Sequence, residues 1–134
     1  MGEPVDRSQR SIRVLVVDDE PNHLRLLTAT LRLEGFLAVG VTDAESALRA
    51  LAETSYDVAL IDVMMPGTSG IELARRMRLE HPTVPVVLMS AYHLSERQLR
   101  QSRTGAVGFV AKPYQVDELT RYLREKATWG GHAA

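Results

Sequence analysis

Val14-Leu15-Val16-Val17-Asp18-Asp19 decides the fold: four apolar residues, three of them valine, run straight into two acids. The same form recurs at Val58-Ala59-Leu60-Ile61 before Asp62, at Val84–Met89 before Ser90, and at Ala106–Ala111 before Lys112-Pro113. Runs this short, largely apolar and rich in β-branched residues, suit strands buried on both faces and are too short for core helices. Leu37-Ala38-Val39-Gly40-Val41 is weaker and alternates, as an edge strand does.

Helical spacing fills the intervals. Leu24, Leu27, Leu31 and Leu33 mark a first helix from about Asn22 to Glu34, stopped by Gly35. A second runs from about Ala44 to Ala52, entered through Thr42-Asp43-Ala44-Glu45 in capping-box form. Ile71, Leu73, Ala74 and Met77 mark a third, ended near His81-Pro82; Ser95-Glu96-Arg97-Gln98 opens a short fourth; Val116, Leu119, Tyr122 and Leu123 mark a fifth. Strict alternation predicts right-handed βαβ units and a parallel sheet with helices on both faces. Five strands are too few for an eight-stranded barrel. The expected result is an open, doubly wound α/β sheet whose ligand site lies beyond the carboxyl ends of the strands.

Composition sets the outer bounds. A chain of 134 residues accommodates one domain, and 45% hydrophobic with 25% charged residues suits a packed core. Sixteen basic against seventeen acidic side chains give a formal charge of −1, so no general attraction to nucleic acid or anionic membrane is expected. The absence of cysteine excludes disulfides, thiolate zinc sites and cysteine nucleophiles. No apolar run reaches the roughly 18–20 residues of a membrane span, and residues 1–10 lack the apolar segment of a secretory signal. A cytoplasmic location is the expectation. Residues 1–11 read as a flexible lead-in, 12–127 as the folded domain, and 128–134, with Gly130-Gly131, as a frayed tail or the start of a linker.

The polar residues that close the inner runs converge on one rim: Asp18, Asp19, Asp62, Ser90 and Lys112. Three crowded carboxylates raise one another's pKa, and they stay ionised together if a hard cation sits among them. Oxygen-only ligands favour Mg²⁺ or Mn²⁺ over zinc. Such an ion beside an ammonium and a hydroxyl suits phosphoryl transfer, with Asp62 as the candidate nucleophile that forms an aspartyl-phosphate. Singly, each of these residues reads as a turn former, a helix cap or a surface charge; together, on the correct strands, they read as a site. Lys112 and Lys126 are the only lysines in a chain that otherwise uses arginine, and a compact point charge differs functionally from a guanidinium fork.

The sequence resembles a two-component response regulator receiver domain over about residues 12–127. The carrying motifs are Val16-Val17-Asp18-Asp19-Glu20, Asp62-Val63-Met64-Met65-Pro66-Gly67-Thr68-Ser69-Gly70, Met89-Ser90-Ala91 and Ala111-Lys112-Pro113. The resemblance implies a flavodoxin-like (βα)5 fold with strand order 2-1-3-4-5. It implies Asp62 as phosphoacceptor, Asp18 and Asp19 as the acidic pair that holds Mg²⁺, and the Met64 backbone carbonyl as a further metal ligand. It also implies Ser90 as the switch hydroxyl, Lys112 as the phosphoryl-contacting lysine, a cis Lys112-Pro113 bond, and Phe109 at the aromatic switch position.

The implied function is a signalling switch and not an enzyme in its own right. A histidine kinase or phosphotransfer protein presents a phosphohistidine, Asp62 takes the phosphoryl group, Ser90 is drawn to it, and Phe109 turns inward. The surface made by the fourth helix, fifth strand and fifth helix then changes for an output domain or effector. Met64 and Tyr92 flank the site as rate-tuning positions; neither orients a hydrolytic water well, so slow self-dephosphorylation is expected. Met64 and Met65 otherwise read as loop-packing residues. Arg97, Arg100, Arg103, Arg121 and Arg124, facing Asp117, Glu118 or Glu125, would support a homodimer or simply form a solvated helix face. His23, His81, His93 and His132 show no metal-ligand spacing and read as surface or loop residues. Trp129 would pack on the last helix or anchor a partner. A stand-alone receiver and the first domain of a longer regulator both fit. The competing readings are a phosphorylation-independent interaction module with the same fold and a small Mg²⁺-dependent phosphatase.

Overall fold

The computed structural model describes residues 11–65, 69–91 and 104–127. Among these residues lie five strands: β1 (Arg13–Val17), β2 (Leu37–Val41), β3 (Val58–Asp62), β4 (Val86–Ser90) and β5 (Gly108–Ala111). Four helices lie among the described residues: α1 (Pro21–Leu33), α2 (Ala44–Glu53), α3 (Gly70–Glu80) and α4 (Val116–Lys126). The expected helix opening at Ser95 falls outside the described residues, as do the lead-in and the tail.

All strand pairs are parallel, in the order β2-β1-β3-β4-β5. This is the doubly wound arrangement expected, and the two faces follow from strand alternation. Val14, Val16, Leu60 and Met89 face one way, under Leu24, Leu27 and Leu31 of α1 and Leu119 and Leu123 of α4. Leu15, Val17, Ile61 and Leu88 face the other, under Ala44, Ala47 and Leu51 of α2 and Leu73, Ala74 and Met77 of α3. Every residue of β3 and β4 is buried, whereas β2 alternates at the open edge with Leu37 and Val39 exposed. Truncating a fully buried leucine of this core, such as Leu60, removes about 3 kcal/mol.

Several boundaries differ from the sequence expectation for local reasons. The cap of α2 is Asp43, not Thr42: its carboxylate accepts the Ser46 N–H at 2.7 Å. Leu33 is not a core residue; it is 87% exposed because it sits two positions past Leu31, on the far side of the helix. The fourth strand starts at Val86, after Pro85, which has no N–H to give the ladder. Ala106 is held in a turn by the Thr104 hydroxyl (3.1 Å), so β5 starts at Gly108.

Gly35 closes α1 with φ +98°, while its own N–H and that of Phe36 return to Arg32 and Leu31. This double closure holds Gly35 in the left-handed region, where glycine carries no penalty.

Gly70 opens α3 against the end of β3. A Cβ there would lie 2.1 Å from the Asp62 carbonyl oxygen, and its N–H already donates to Val63 O at 3.1 Å. Only a bare backbone permits this approach. Gly70→Ala is expected to cost about 2 kcal/mol in urea denaturation and to displace the Asp62 loop. Wild-type stability in this variant would contradict the packing assigned to it.

Candidate functional site

The parallel register brings the polar strand ends together. Val17 pairs with Ile61, so Asp18 and Asp62 emerge side by side. Ser90 ends β4 opposite Ala111, and Lys112 follows β5 directly. Backbone bonds extend the ladder into these residues: Asp18 N–H to Val41 O (3.1 Å), Val63 N–H to Met89 O (2.9 Å) and Lys112 N–H to Ser90 O (2.8 Å). The site therefore stands on sheet, not on free loop.

Carboxylate oxygens of Asp18, Asp19 and Asp62 lie within 4.8 Å of one another. Asp18 and Asp62 are buried (1% and 5% exposed) and Asp19 is half-buried. Each buried acid is held at both oxygens. Asp62 Oδ1 accepts the Met64 N–H at 2.9 Å, and Oδ2 accepts from Lys112 Nζ at 2.7 Å. Asp18 Oδ1 accepts the Glu20 N–H at 2.9 Å, and Oδ2 pairs with His23 Nδ1. His23 Nε2 lies 3.1 Å from the Tyr114 hydroxyl. Burial pushes the Tyr114 phenol above its ordinary pKa, and the nearby Asp18 charge pushes it further.

The donor set, three clustered carboxylates with two of them buried, fits a hard divalent cation such as Mg²⁺ or Mn²⁺. Lys112 offsets the charge of Asp62, and its amine is also placed to meet an anion arriving at that carboxylate.

Other expected residues divide. Ser90 is fully buried at its strand end, and the Lys112-Pro113 bond is cis. Phe109 is half-buried against the α2–α3 side, with its N–H donating to the Tyr122 hydroxyl at 3.0 Å. Met64 is 57% exposed at the rim, whereas Met65 packs into the core, so the pair has two roles. Tyr92, Arg97, Arg100 and Arg103 fall outside the described residues. Arg124 is engaged within its own chain: it donates to Glu34 O at 2.7 Å and lies 4.8 Å over the Phe36 ring. Lys126 lies over the Tyr122 ring.

His23 overturns its reading as a surface residue. It sits in the first turn of α1, and that turn folds back onto Asp18. Tyr114 is the second residue missed. The available signal was position: His23 falls in the first turn of the helix that follows the acidic pair, and Tyr114 stands two residues past Lys112.

An open parallel α/β sheet with an acidic cluster and a lysine at its carboxyl edge is the arrangement the sequence resemblance implies. The model of the response regulator receiver domain matches residues 14–124, and the chain belongs to that family. Among relatives, the regulatory protein AtoC of Escherichia coli is 38% identical over 107 residues, covering 80% of this chain and 23% of AtoC. The probable transcriptional regulatory protein TcrX of Mycobacterium tuberculosis is 34% identical over 113 residues, covering 84% of this chain and 48% of TcrX. The chain thus spans half or less of the length of these relatives. The response regulator TrrA of Thermotoga maritima, solved in complex with Mg²⁺–BeF, superposes with TM-score 0.75 at 34% identity, covering 85% of this chain and 97% of that one. The chemotaxis protein CheY4 of Vibrio cholerae shares the fold, with TM-score 0.80 at 24% identity, covering 87% and 99%.

The Lys112–Asp62 pair is largely buried, so removing the cation strands a carboxylate beside two others. Lys112→Met is expected to lose about 3 kcal/mol of stability in metal-free buffer, read by urea denaturation. A loss below about 0.5 kcal/mol would show that the pair is solvated like a surface bridge.

Proposed function

We propose that this chain is a phosphorylation-dependent switch of a two-component system, with Asp62 as its phosphoacceptor. The observation that carries the reading is the Lys112 ammonium, 2.7 Å from a buried Asp62 that shares a 4.8 Å cluster with Asp18 and Asp19. The likeness to TrrA, solved with Mg²⁺–BeF, supports the same chemistry here.

Asp18, Asp19 and Asp62, with the Met64 carbonyl, would hold Mg²⁺ or Mn²⁺, which when bound neutralises phosphoryl charge. The donor is the phosphohistidine of a histidine kinase or phosphotransfer protein. An Asp62 carboxylate oxygen forms the new O–P bond while the P–N bond breaks, and the electron pair leaves on the imidazole nitrogen. As Asp62 becomes an acyl phosphate, Lys112 transfers its ion pair from the carboxylate to a phosphoryl oxygen. Ser90 donates its hydroxyl proton in a hydrogen bond to the phosphoryl group. Phe109, half-buried one strand over, moves into the space released. The outcome is a population shift of the surface formed by β5, α4 and the segment before β5, read by an output domain or effector. No catalysis beyond the chain's own phosphorylation and dephosphorylation is needed. Among the described residues no helix is long and apolar enough to cross a membrane, and the proposed location is cytoplasmic.

Incubation with a small phosphodonor and Mg²⁺ is expected to add one phosphoryl group per chain, detected by intact-protein mass spectrometry and abolished in Asp62→Ala. A phosphatase would instead turn the donor over, and an inert interaction module would do neither. Met64 is exposed at the rim without an acid or amide to orient water. Met64→Asn is therefore expected to shorten the phosphoryl half-life several-fold, and an unchanged or longer half-life would refute a rate-limiting role for this position.

A further inference from the structure

Asp18 is the most deeply buried acid of the cluster, and its carboxylate does not stand free. One oxygen accepts a main-chain N–H from Glu20; the other meets His23 Nδ1. With the Asp18 carboxylate as acceptor, Nδ1 is the donor of this contact. The ring is completed at Nε2 by the Tyr114 hydroxyl, 3.1 Å away, with the two rings tilted at 50° and centroids 6.3 Å apart. Tyr114 belongs to the same short stretch as Lys112, whose ammonium binds Asp62. Two arms therefore leave the turn after β5, one directly to Asp62 and one to Asp18 through His23.

We propose that His23 is a positioning residue for the divalent cation: its Nδ1–H fixes the Asp18 carboxylate, and Tyr114 fixes the ring. The inference rests on the reading of the acidic cluster as a metal site and deepens it. The physical case is that of an outer-shell donor. A carboxylate that can rotate must be ordered when the cation arrives, whereas one already held at both oxygens presents a remaining lone pair in a set direction. The imidazole in turn needs a partner at its second nitrogen to keep its orientation, and the phenol supplies it. Nothing in this arrangement requires His23 to touch the cation or the phosphoryl group.

Isothermal titration of the metal-free protein with Mg²⁺ tests this without any phosphorylation readout. Outer-shell substitutions at metal sites weaken binding about 10–100-fold, and His23→Ala is expected to raise the Mg²⁺ Kd about tenfold. His23→Asn, which keeps an N–H donor near the Nδ1 position, is expected to recover most of the loss. Tyr114→Phe is expected to give a smaller weakening. An unchanged or tighter Kd in His23→Ala overturns the proposal. So does a His23→Asn variant as weak as His23→Ala, which would make the loss one of packing. Wild-type protein that binds no Mg²⁺ removes the metal-site reading itself, and the role of His23 with it. Nitrogen-15 spectra of the His23 ring give an independent readout in the unsubstituted chain: a proton on Nδ1 supports the assignment, and a bare Nδ1 with the proton on Nε2 overturns it.

Discussion

Three like charges forced onto one sheet edge are the constraint around which this structure is organised. At an effective dielectric near 20, two unit charges about 4 Å apart repel by about 4 kcal/mol, and carboxylate oxygens of Asp18, Asp19 and Asp62 all lie within 4.8 Å of one another. The fold offsets this repulsion with fixed partners. Lys112 lies against Asp62, main-chain N–H groups of Met64 and Glu20 point at the two buried acids, and His23 takes the last oxygen of Asp18. The start of α1 follows directly, so the positive end of its dipole faces the acidic pair. These partners restrain the carboxylates and leave the clustered oxygens as a donor set for a hard cation.

The parallel sheet is what makes such an edge possible. Strands buried on both faces have polar residues only at their ends, and parallel register sets those ends in one row. The close seat of Gly70 on the Asp62 carbonyl keeps α3 against the end of β3. On the other side, the turn after β5 reaches Asp62 through Lys112 and, through Tyr114 and His23, Asp18. In the proposed switch, a change of charge at Asp62 would act first on Lys112, its direct partner.

Much of this was legible in the order of residues. The runs ending at Asp18, Asp62, Ser90 and Lys112 announced buried strands and a polar rim, because a short apolar run closed by an acid has few other uses. The pattern of Leu37–Val41 foretold the open edge, and Gly35 the stop of α1. Local competition hid other details. Thr42 and Asp43 both can cap, and only the helix phase chooses Asp43. Leu33 looks like core by composition but lies off the buried stripe. His23 and Tyr114 were marked only by position, for a different reason. They stand far apart in sequence, and their contact depends on how the first turn of α1 and the turn after β5 meet above the sheet. Arg124 likewise looked available for a partner chain, and the end of α1 claims it instead.

The central claim is that the carboxylate cluster is a cation site built into the folded state and absent from the unfolded chain. Equilibrium unfolding with and without Mg²⁺ measures this directly, since a ligand at about ten times its Kd adds about 1.4 kcal/mol to the folded state alone. The account predicts an increment of that size for the wild-type chain and its disappearance in Asp19→Asn. An equal increment in both proteins, or none in the wild type, would contradict it.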